Sequence, residues 1–329
     1  LARRTMQDAG TPVIPGSDGA VKSIEEAMAW AEKVGYPLRL KASAGGGGRG
    51  MRVVRNPDEM EEGWRMGRLE ARNAFTDDSV YLERSIERAR HIEIQVLGDN
   101  EGNLIHLGER ECSIQRRHQK LVEESPSPVV DAELRARLGE AALRGVGSIG
   151  YSGVGTVEFL VDEDLEFYFL EMNTRIQVEH PVTEMVTGLD LIKEQIRVAT
   201  GEPLGYVQND VRLQGHALEC RVNAEDPDRN FIPSAGRVTA LQMPGGPGVR
   251  VDSHIYQGYD IPPYYDPLLA KVIATGADRR ESISRMRRVI DEFTIEGVAT
   301  TLPFHRRLLS DAGFVAGQFD TEYVAANLQ

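Results

Sequence analysis

With only Cys112 and Cys220 in 329 residues, the chain has too few thiols for a disulfide framework or a cysteine-rich zinc site. Such scarcity goes with a reducing compartment, so the expected location is the cytoplasm or, in a eukaryote, an organellar matrix. No apolar run approaches the roughly 20 residues that span a bilayer, and Leu1 to Arg4 lack the apolar core of a signal peptide. Basic charge is short as well: 38 Lys and Arg stand against 51 Asp and Glu, a net charge of −13. That argues against a nucleic-acid partner, and no membrane partner is expected. It leaves room for a small anion, because local basic pockets survive in acidic proteins. A hydrophobic share of 41% with 27% charged residues describes a globular chain long enough for one large domain or two ordinary ones. A start at Leu1 is what a piece of a longer protein would have.

Local signals mix helix and strand. Ser23 with Glu26 forms a capping box that predicts a helix from Ile24 to Lys33, stopped at Gly35. Tyr36 to Ala42 reads as a strand, residues 44–50 as a glycine loop and Met51 to Val54 as the returning strand. Asn56 and Pro57 open another helix, with Met60, Trp64 and Leu69 expected inward. Strands are predicted at Ser79 to Leu82, His91 to Leu97 and Asn103 to Glu109, and Asp131 caps a predicted helix to about Val146. Thr156 to Val161 and Glu166 to Asn173 suggest a hairpin with Val161 opposite Glu166, and a helix through Leu189 to Ala199 is stopped by Gly201. From Leu213 the texture turns β-rich: His216 to Asn223, Gly236 to Met243, Gly248 to His254 and Ala270 to Thr275. A helix capped by Asp278 and Glu281 carries Ile283, Met286, Val289, Ile290 and Phe293 on one face. The class is therefore α+β, with a boundary expected near Pro203 to Asp210.

One stretch concentrates chemistry. Glu171, Asn173, Arg175, Gln177 and Glu179 occupy every second position, so a strand would line them along one face. Carboxylate, amide and guanidinium groups in series can hold a divalent metal at one end and a small oxyanion beside a base at the other. In the hairpin register above, Glu158 opposes Phe169 and lies diagonal to Glu171, a pair of hard oxygen ligands with Asn173 one pleat further. Gly45, Gly46, Gly47 and Gly48 satisfy part of G-x-G-x-x-G but lead into a strand, so they read as a lid over phosphates rather than a dinucleotide fingerprint. Lys41 beside them supplies a point charge. Gln115, His118 and Lys120 lie in a dense cationic and amide run whose ordinary reading is solvated loop charge. His91 and Arg221 sit on alternating polar strands, where a structural histidine and a structural salt bridge are the ordinary readings.

Taken together, Lys41 to Met51 (KASAGGGGRGM), Glu109 to Lys120 (ERECSIQRRHQK), Glu171 to Met185 (EMNTRIQVEHPVTEM) and Glu219 to Pro227 (ECRVNAEDP) closely resemble the biotin carboxylase component of biotin-dependent carboxylases, an ATP-grasp enzyme. The resemblance covers essentially the whole chain. It implies an ATP-grasp domain over residues 1–205, with a lid subdomain at about 13–85, then a β-rich biotin carboxylase C-terminal domain over 211–329. An N-terminal domain and a phosphate-binding lysine that precede Ala2 in the family lie outside this sequence. By the same resemblance Lys41, Gly45 to Gly48, Met51, His91, Gln115, His118 and Leu160 are nucleotide contacts, with Glu83, Arg84 and Ile86 on the adenine side. Arg84 departs from the usual lysine there. Glu158, Glu171 and Asn173 are implied magnesium or manganese ligands, for two ions. Lys120, Arg175, Gln177 and the Val178 backbone are the implied bicarbonate cradle, Glu179 its general base, and Arg221 with Asp266 the biotin contacts.

The implied activity is ATP-dependent carboxylation of biotin through carboxyphosphate. No Met-Lys biotinylation site occurs in the sequence, so biotin is expected on a carboxyl carrier protein or domain, with a carboxyltransferase as further partner and a homodimer for the full-length enzyme. Two rivals stand beside this reading: an ATP-grasp ligase of the carbamoyl-phosphate or carboxylate–amine type, indifferent to biotin, and a nucleotide-binding module without turnover.

Overall fold

The computed structural model describes residues 2–43 and 51–328; Gly45 to Gly48 lie outside the described residues. The chain forms two compact units, Pro12–Glu87 and a larger one from Leu1–Thr11 with Arg88–Gln329. Helix α1 (Ala2–Asp8) belongs to the larger unit.

In the smaller unit the Ser23 hydroxyl accepts the Glu26 amide at 3.3 Å and Glu26 reaches back to the Lys22 amide at 2.8 Å, opening α2 (Ile24–Val34). It stops at Gly35, whose φ of 84° suits glycine. β1 (Leu38–Ala42), β2 (Met51–Val54) and β3 (Val80–Arg84) form an antiparallel sheet in the order β2-β1-β3, with Lys41 opposite Met51. Helix α3 (Met60–Phe75) buries Met60, Gly63, Trp64, Gly67 and Ala71. Leu69, expected inward, is 46% exposed. It stands nine residues from Met60, about two and a half turns and so on the opposite face. The glycines are there because α3 lies close to the sheet: a Cβ on Gly63 would sit 2.6 Å from Val54 Cγ2.

The larger unit is organised by one eight-stranded sheet. Its order is Val249–Ser253, Leu268–Gly276, β9 (His216–Asn223), β6 (Gln119–Ser125), β5 (Leu104–Arg116), β4 (Arg90–Gly98), β7 (Gly153–Val161) and β8 (Phe167–Asn173), every adjacent pair antiparallel. The sheet runs unbroken from strands before residue 203 to strands after residue 210, because β6 pairs with β9. Helices α4 (Ala132–Gly147), α5 (His180–Thr187) and α6 (Leu191–Ala199) pack on it. Helix α7 (Arg279–Glu292) packs on Leu268–Gly276 and β9, burying Ile283, Met286, Val289 and Ile290 as its spacing predicts, with Phe293 at its end.

Three local expectations change. The cationic run is the end of one strand and the start of the next: β5 continues to Arg116 and turns through Arg117 and His118, with φ of 50° and 65°, the type I′ signature of a two-residue hairpin. Arg116 is buried there over the Phe231 ring and bonded to Asn230. In the β7–β8 hairpin Val161 opposes Phe167, not Glu166, and a bulge at Leu170 puts Glu171 directly opposite Glu158. The bulge lets Phe169 stay opposite the buried Phe159 while the carboxylates share the other face. Finally, the strand carrying Glu171 ends at Asn173, and α5 begins at His180 with Pro181 in its first turn. Arg175, Gln177 and Glu179 therefore lie on connecting chain, not on a strand face.

Helix α8 (Leu302–Ser310) buries His305 completely. Its Nε2–H donates to the Arg221 carbonyl at 2.7 Å, beside the Thr301 hydroxyl at 2.9 Å. Burial lowers the imidazole from its ordinary 6.5 to about 4. The unfolded chain takes up this proton first, so the group's stabilisation is complete above pH 6.5 and is lost as the pH falls toward 4. The loss should reach on the order of 3 kcal/mol. Urea denaturation across that window should show it, with a shallower slope in His305→Gln. In the smaller unit, Gly63→Leu should cost about 1–3 kcal/mol by overpacking against Val54. Gly67→Ala, whose Cβ would meet Leu40 at 3.7 Å, should instead gain up to about 1 kcal/mol; thermal melts of both variants check the contrast.

Candidate active site

On β4, His91, Glu93 and Gln95 alternate with Ile92, Ile94 and Val96, and all six are buried. A polar row at that depth needs partners. Glu93 lies between Arg110 on β5 and Glu158 on β7. The Arg110 guanidinium is fully buried, and each of its five donors has an acceptor: Glu93 on Nε, Gln95 (2.6 Å) and Thr183 (2.9 Å) on Nη1, Thr156 (3.1 Å) and Gln177 (2.9 Å) on Nη2. These contacts tie the chain between β8 and α5 to the sheet. Gln177, so fixed, donates Nε2–H to Glu158 at 2.8 Å.

Lys120 enters from β6 and donates to Glu93 (2.5 Å), Glu158 (3.0 Å) and Glu179 (2.5 Å). Arg221 comes from β9, where Leu218, Cys220 and Val222 pack toward α7 and the alternate residues face the α5 side. It donates Nε–H to Glu123 (2.6 Å) and Nη2–H to Glu179 (2.9 Å). Glu179, 2% exposed at the head of α5, thus has one oxygen on Lys120 and the other on Arg221. Burial alone would raise its carboxyl; Lys120, Arg221 and Arg110 outweigh it and hold the group well below the usual carboxylate range. The Lys120 ammonium gains in turn: against its desolvation, Glu93 and its neighbours raise it well above the ordinary lysine value.

Glu158 and Glu171 face each other across the hairpin, and Asn173 Nδ2 donates to Glu158 at 3.1 Å. Glu158 is held far below the usual range, against burial, by His91 at 3.0 Å and by Lys120. Glu171 is raised, by partial desolvation and then by the charge of Glu158. A carboxylate destabilised by a second carboxylate opposite, with an amide oxygen one pleat away, is a donor set of hard oxygens that a divalent cation relieves, so these residues fit magnesium or manganese.

Other candidates are placed differently. Arg175 is exposed, with Nη2 on Asn173 (3.0 Å) and Nη1 on the Ile176 carbonyl (3.3 Å). The Val178 carbonyl accepts Lys271 Nζ at 3.0 Å. Gln115 is buried opposite Lys120, Leu160 is buried opposite His91, and His118 is exposed on its turn. Asp266 is exposed and caps the Leu268 amide at 2.9 Å; among the described residues no hydrogen bond or ion pair joins it to Arg221. Within the smaller unit Lys41 pairs with the buried Glu83 at 2.5 Å, Ile86 is buried and Arg84 exposed. Arg110, Glu93, Glu123 and Glu219 do not stand out as candidates in the sequence. The first two had a readable signal, the alternation of His91, Glu93 and Gln95 facing the charged run from Glu109 to Glu111. Among the described residues no helix is long and apolar enough to cross a membrane.

Residues 1–207 match the family model described as the carbamoyl-phosphate synthase L chain, ATP binding domain, and residues 219–326 match the biotin carboxylase C-terminal domain. The chain is 56% identical over 325 residues to biotin carboxylase 1 of Bacillus subtilis, covering 98% of this chain and 72% of that protein. A solved biotin carboxylase from Campylobacter jejuni, in complex with β,γ-ATP, superposes with a TM-score of 0.95 at 49% identity, covering 99% of this chain and 73% of that one. The biotin carboxylase domain dimer of Hydrogenobacter thermophilus 2-oxoglutarate carboxylase, solved with MgADP, ADP and bicarbonate, gives 0.94 at 49%, covering 99% and 72%. With an ATP-grasp α+β fold and matches over nearly its whole length, the chain belongs to the biotin carboxylase family.

Proposed function

We propose that this chain catalyses the ATP-dependent carboxylation of biotin, with bicarbonate as the carboxyl source and carboxyphosphate as the intermediate. The observation that carries the reading is the buried Glu179 carboxylate held between the Lys120 ammonium and the Arg221 guanidinium. Two cations around one carboxylate form a cradle for a small anion beside a base. When bicarbonate enters, Lys120 turns part of its charge to the anion, with Arg175, Gln177 and the Val178 backbone as further contacts. Glu179 then loses cationic support and becomes more basic, the change a general base needs.

A bicarbonate oxygen attacks the γ-phosphorus of ATP, its proton passes to Glu179, and ADP leaves. A divalent cation held by Glu158, Glu171 and Asn173 supplies charge neutralisation for the nucleotide phosphates. Carboxyphosphate divides into carbon dioxide and phosphate, the phosphate takes the ureido N–H proton of biotin, and the resulting nitrogen attacks carbon dioxide. Arg221 holds the enolate oxygen that develops on biotin, with Asp266 as a second proposed biotin contact. Within the larger unit His91, Gln115, His118 and Leu160 are proposed nucleotide contacts. Within the smaller unit Lys41, Met51, Glu83, Arg84 and Ile86 are proposed for the same role, with Gly45 to Gly48 beside them in sequence.

The match of residues 219–326 to a biotin carboxylase C-terminal domain favours biotin over a carbamoyl-phosphate-type acceptor. A biotinyl carrier is the proposed donor of the acceptor group, a carboxyltransferase the consumer of carboxybiotin, and a homodimer the assembly. Transfer of ¹⁴C from bicarbonate to free biotin in the presence of ATP tests the reading. Glu179→Gln should lower transfer by about 10²–10⁴-fold while nucleotide binding, followed by calorimetry, is retained. ATP turnover that needs bicarbonate yet ignores biotin would indicate the carbamoyl-phosphate type instead.

A further inference from the structure

Glu219 is 0% exposed in the middle of β9, and neither of its carboxyl oxygens has a hydrogen-bond partner among the described residues. An ionised carboxylate in that position would carry its charge without a donor, an arrangement proteins avoid. Its cross-strand neighbours are Glu123 on β6 and Ile273 on the other side. Antiparallel partners share a face at close range, so Glu219 and Glu123 stand side by side. Glu123 uses one oxygen on Arg221 Nε at 2.6 Å, and its Oε2 also has no partner.

The charged groups around Glu219 are accounted for. Arg221, two residues along the same strand, already serves Glu123 and Glu179. Lys271, on the neighbouring strand, is committed to the Val178 carbonyl at 3.0 Å and to Asp252 at 3.4 Å. At the head of α5, Glu179 is held by Lys120 and Arg221, and His180 Nδ1 is bonded to the Gln177 carbonyl at 2.7 Å. Glu184, further along that helix, binds Arg250. The remaining wall is apolar: Ala217, Ile273, Val182 and Val186. Burial, followed by the charge of Glu123, pushes the Glu219 carboxyl well above the usual range.

We propose that Glu219 is held as the neutral acid and that one proton is kept within the Glu219–Glu123 pair, which makes Glu219 a positioning residue for Arg221. With a single negative charge in the pair, Arg221 is balanced between Glu123 and Glu179 and keeps attraction to spare for an anion. A second charge would draw the guanidinium into the sheet and away from the ligand side. The assignment of Arg221 to biotin rests on the function proposed above; the protonation of Glu219 does not.

Infrared difference spectroscopy of wild type against Glu219→Gln, in light and heavy water at neutral pH, reads the proton directly. A carboxylic-acid carbonyl band that shifts in heavy water and is missing from the variant is expected; no such difference overturns the proposal whatever the enzyme's activity. In carboxylation assays Glu219→Ala should raise the KM for biotin several-fold more than it lowers kcat, and Glu219→Gln, which mimics the neutral acid, should restore most of that loss. Equal impairment in both variants at unchanged melting temperature would mean that the ionised carboxylate is the working form, contrary to the proposal.

Discussion

A guanidinium with no exposed surface is tolerable only if all five of its N–H groups find acceptors, and Arg110 meets that demand with residues from β4, β7, α5 and the chain before α5. Much of the site follows from this one constraint. Gln177 lies on chain without regular structure, and its bond to Arg110 is what places its amide against Glu158. Thr183 fixes the first turn of α5 in the same way, so Glu179 at the head of that helix meets Lys120 and Arg221. The buried Arg110 and its acceptors are thus scaffold first, and chemistry is built on their rim.

The rim works by sharing charge. Lys120 bonds to three carboxylates and Arg221 to two, with Glu179 common to both. Each carboxylate is stabilised by cations that an incoming anion can attract in its place. In the proposed mechanism binding and basicity are coupled by that competition: the more strongly bicarbonate engages Lys120, the less Glu179 is held in its ionised form. His305 and Thr301 hold the Arg221 backbone from behind, so the redistribution falls on the side chain.

The sequence made the α+β class readable through local devices that act within a few residues. Ser23, Asp131 and Asp278 each accept an amide three residues on, and the helix after Asp278 shows its apolar face. Signals failed where a distant partner decides. Leu69 carried hydrophobicity on the wrong face, while Gly63 and Gly67 were the residues against the sheet. The five-residue polar alternation looked like one wall, but Pro181 starts a helix and leaves only Glu171 and Asn173 on the strand. Lys120, Glu158, Glu179 and Arg221 were visible as candidates by residue type, and they meet in one network. Glu123 and Glu219 were not visible, because what makes them unusual is the pairing of β6 with β9 across almost a hundred residues, which no local pattern encodes.

In the proposed reaction an oxygen of bicarbonate, freed of its proton by Glu179, attacks the terminal phosphorus of ATP. Supplying ¹⁸O-labelled bicarbonate and determining the isotopic content of the released phosphate by mass spectrometry tests it most directly. One labelled oxygen per phosphate is the predicted result. Phosphate carrying no label, its new oxygen coming from water, would rule out attack by bicarbonate.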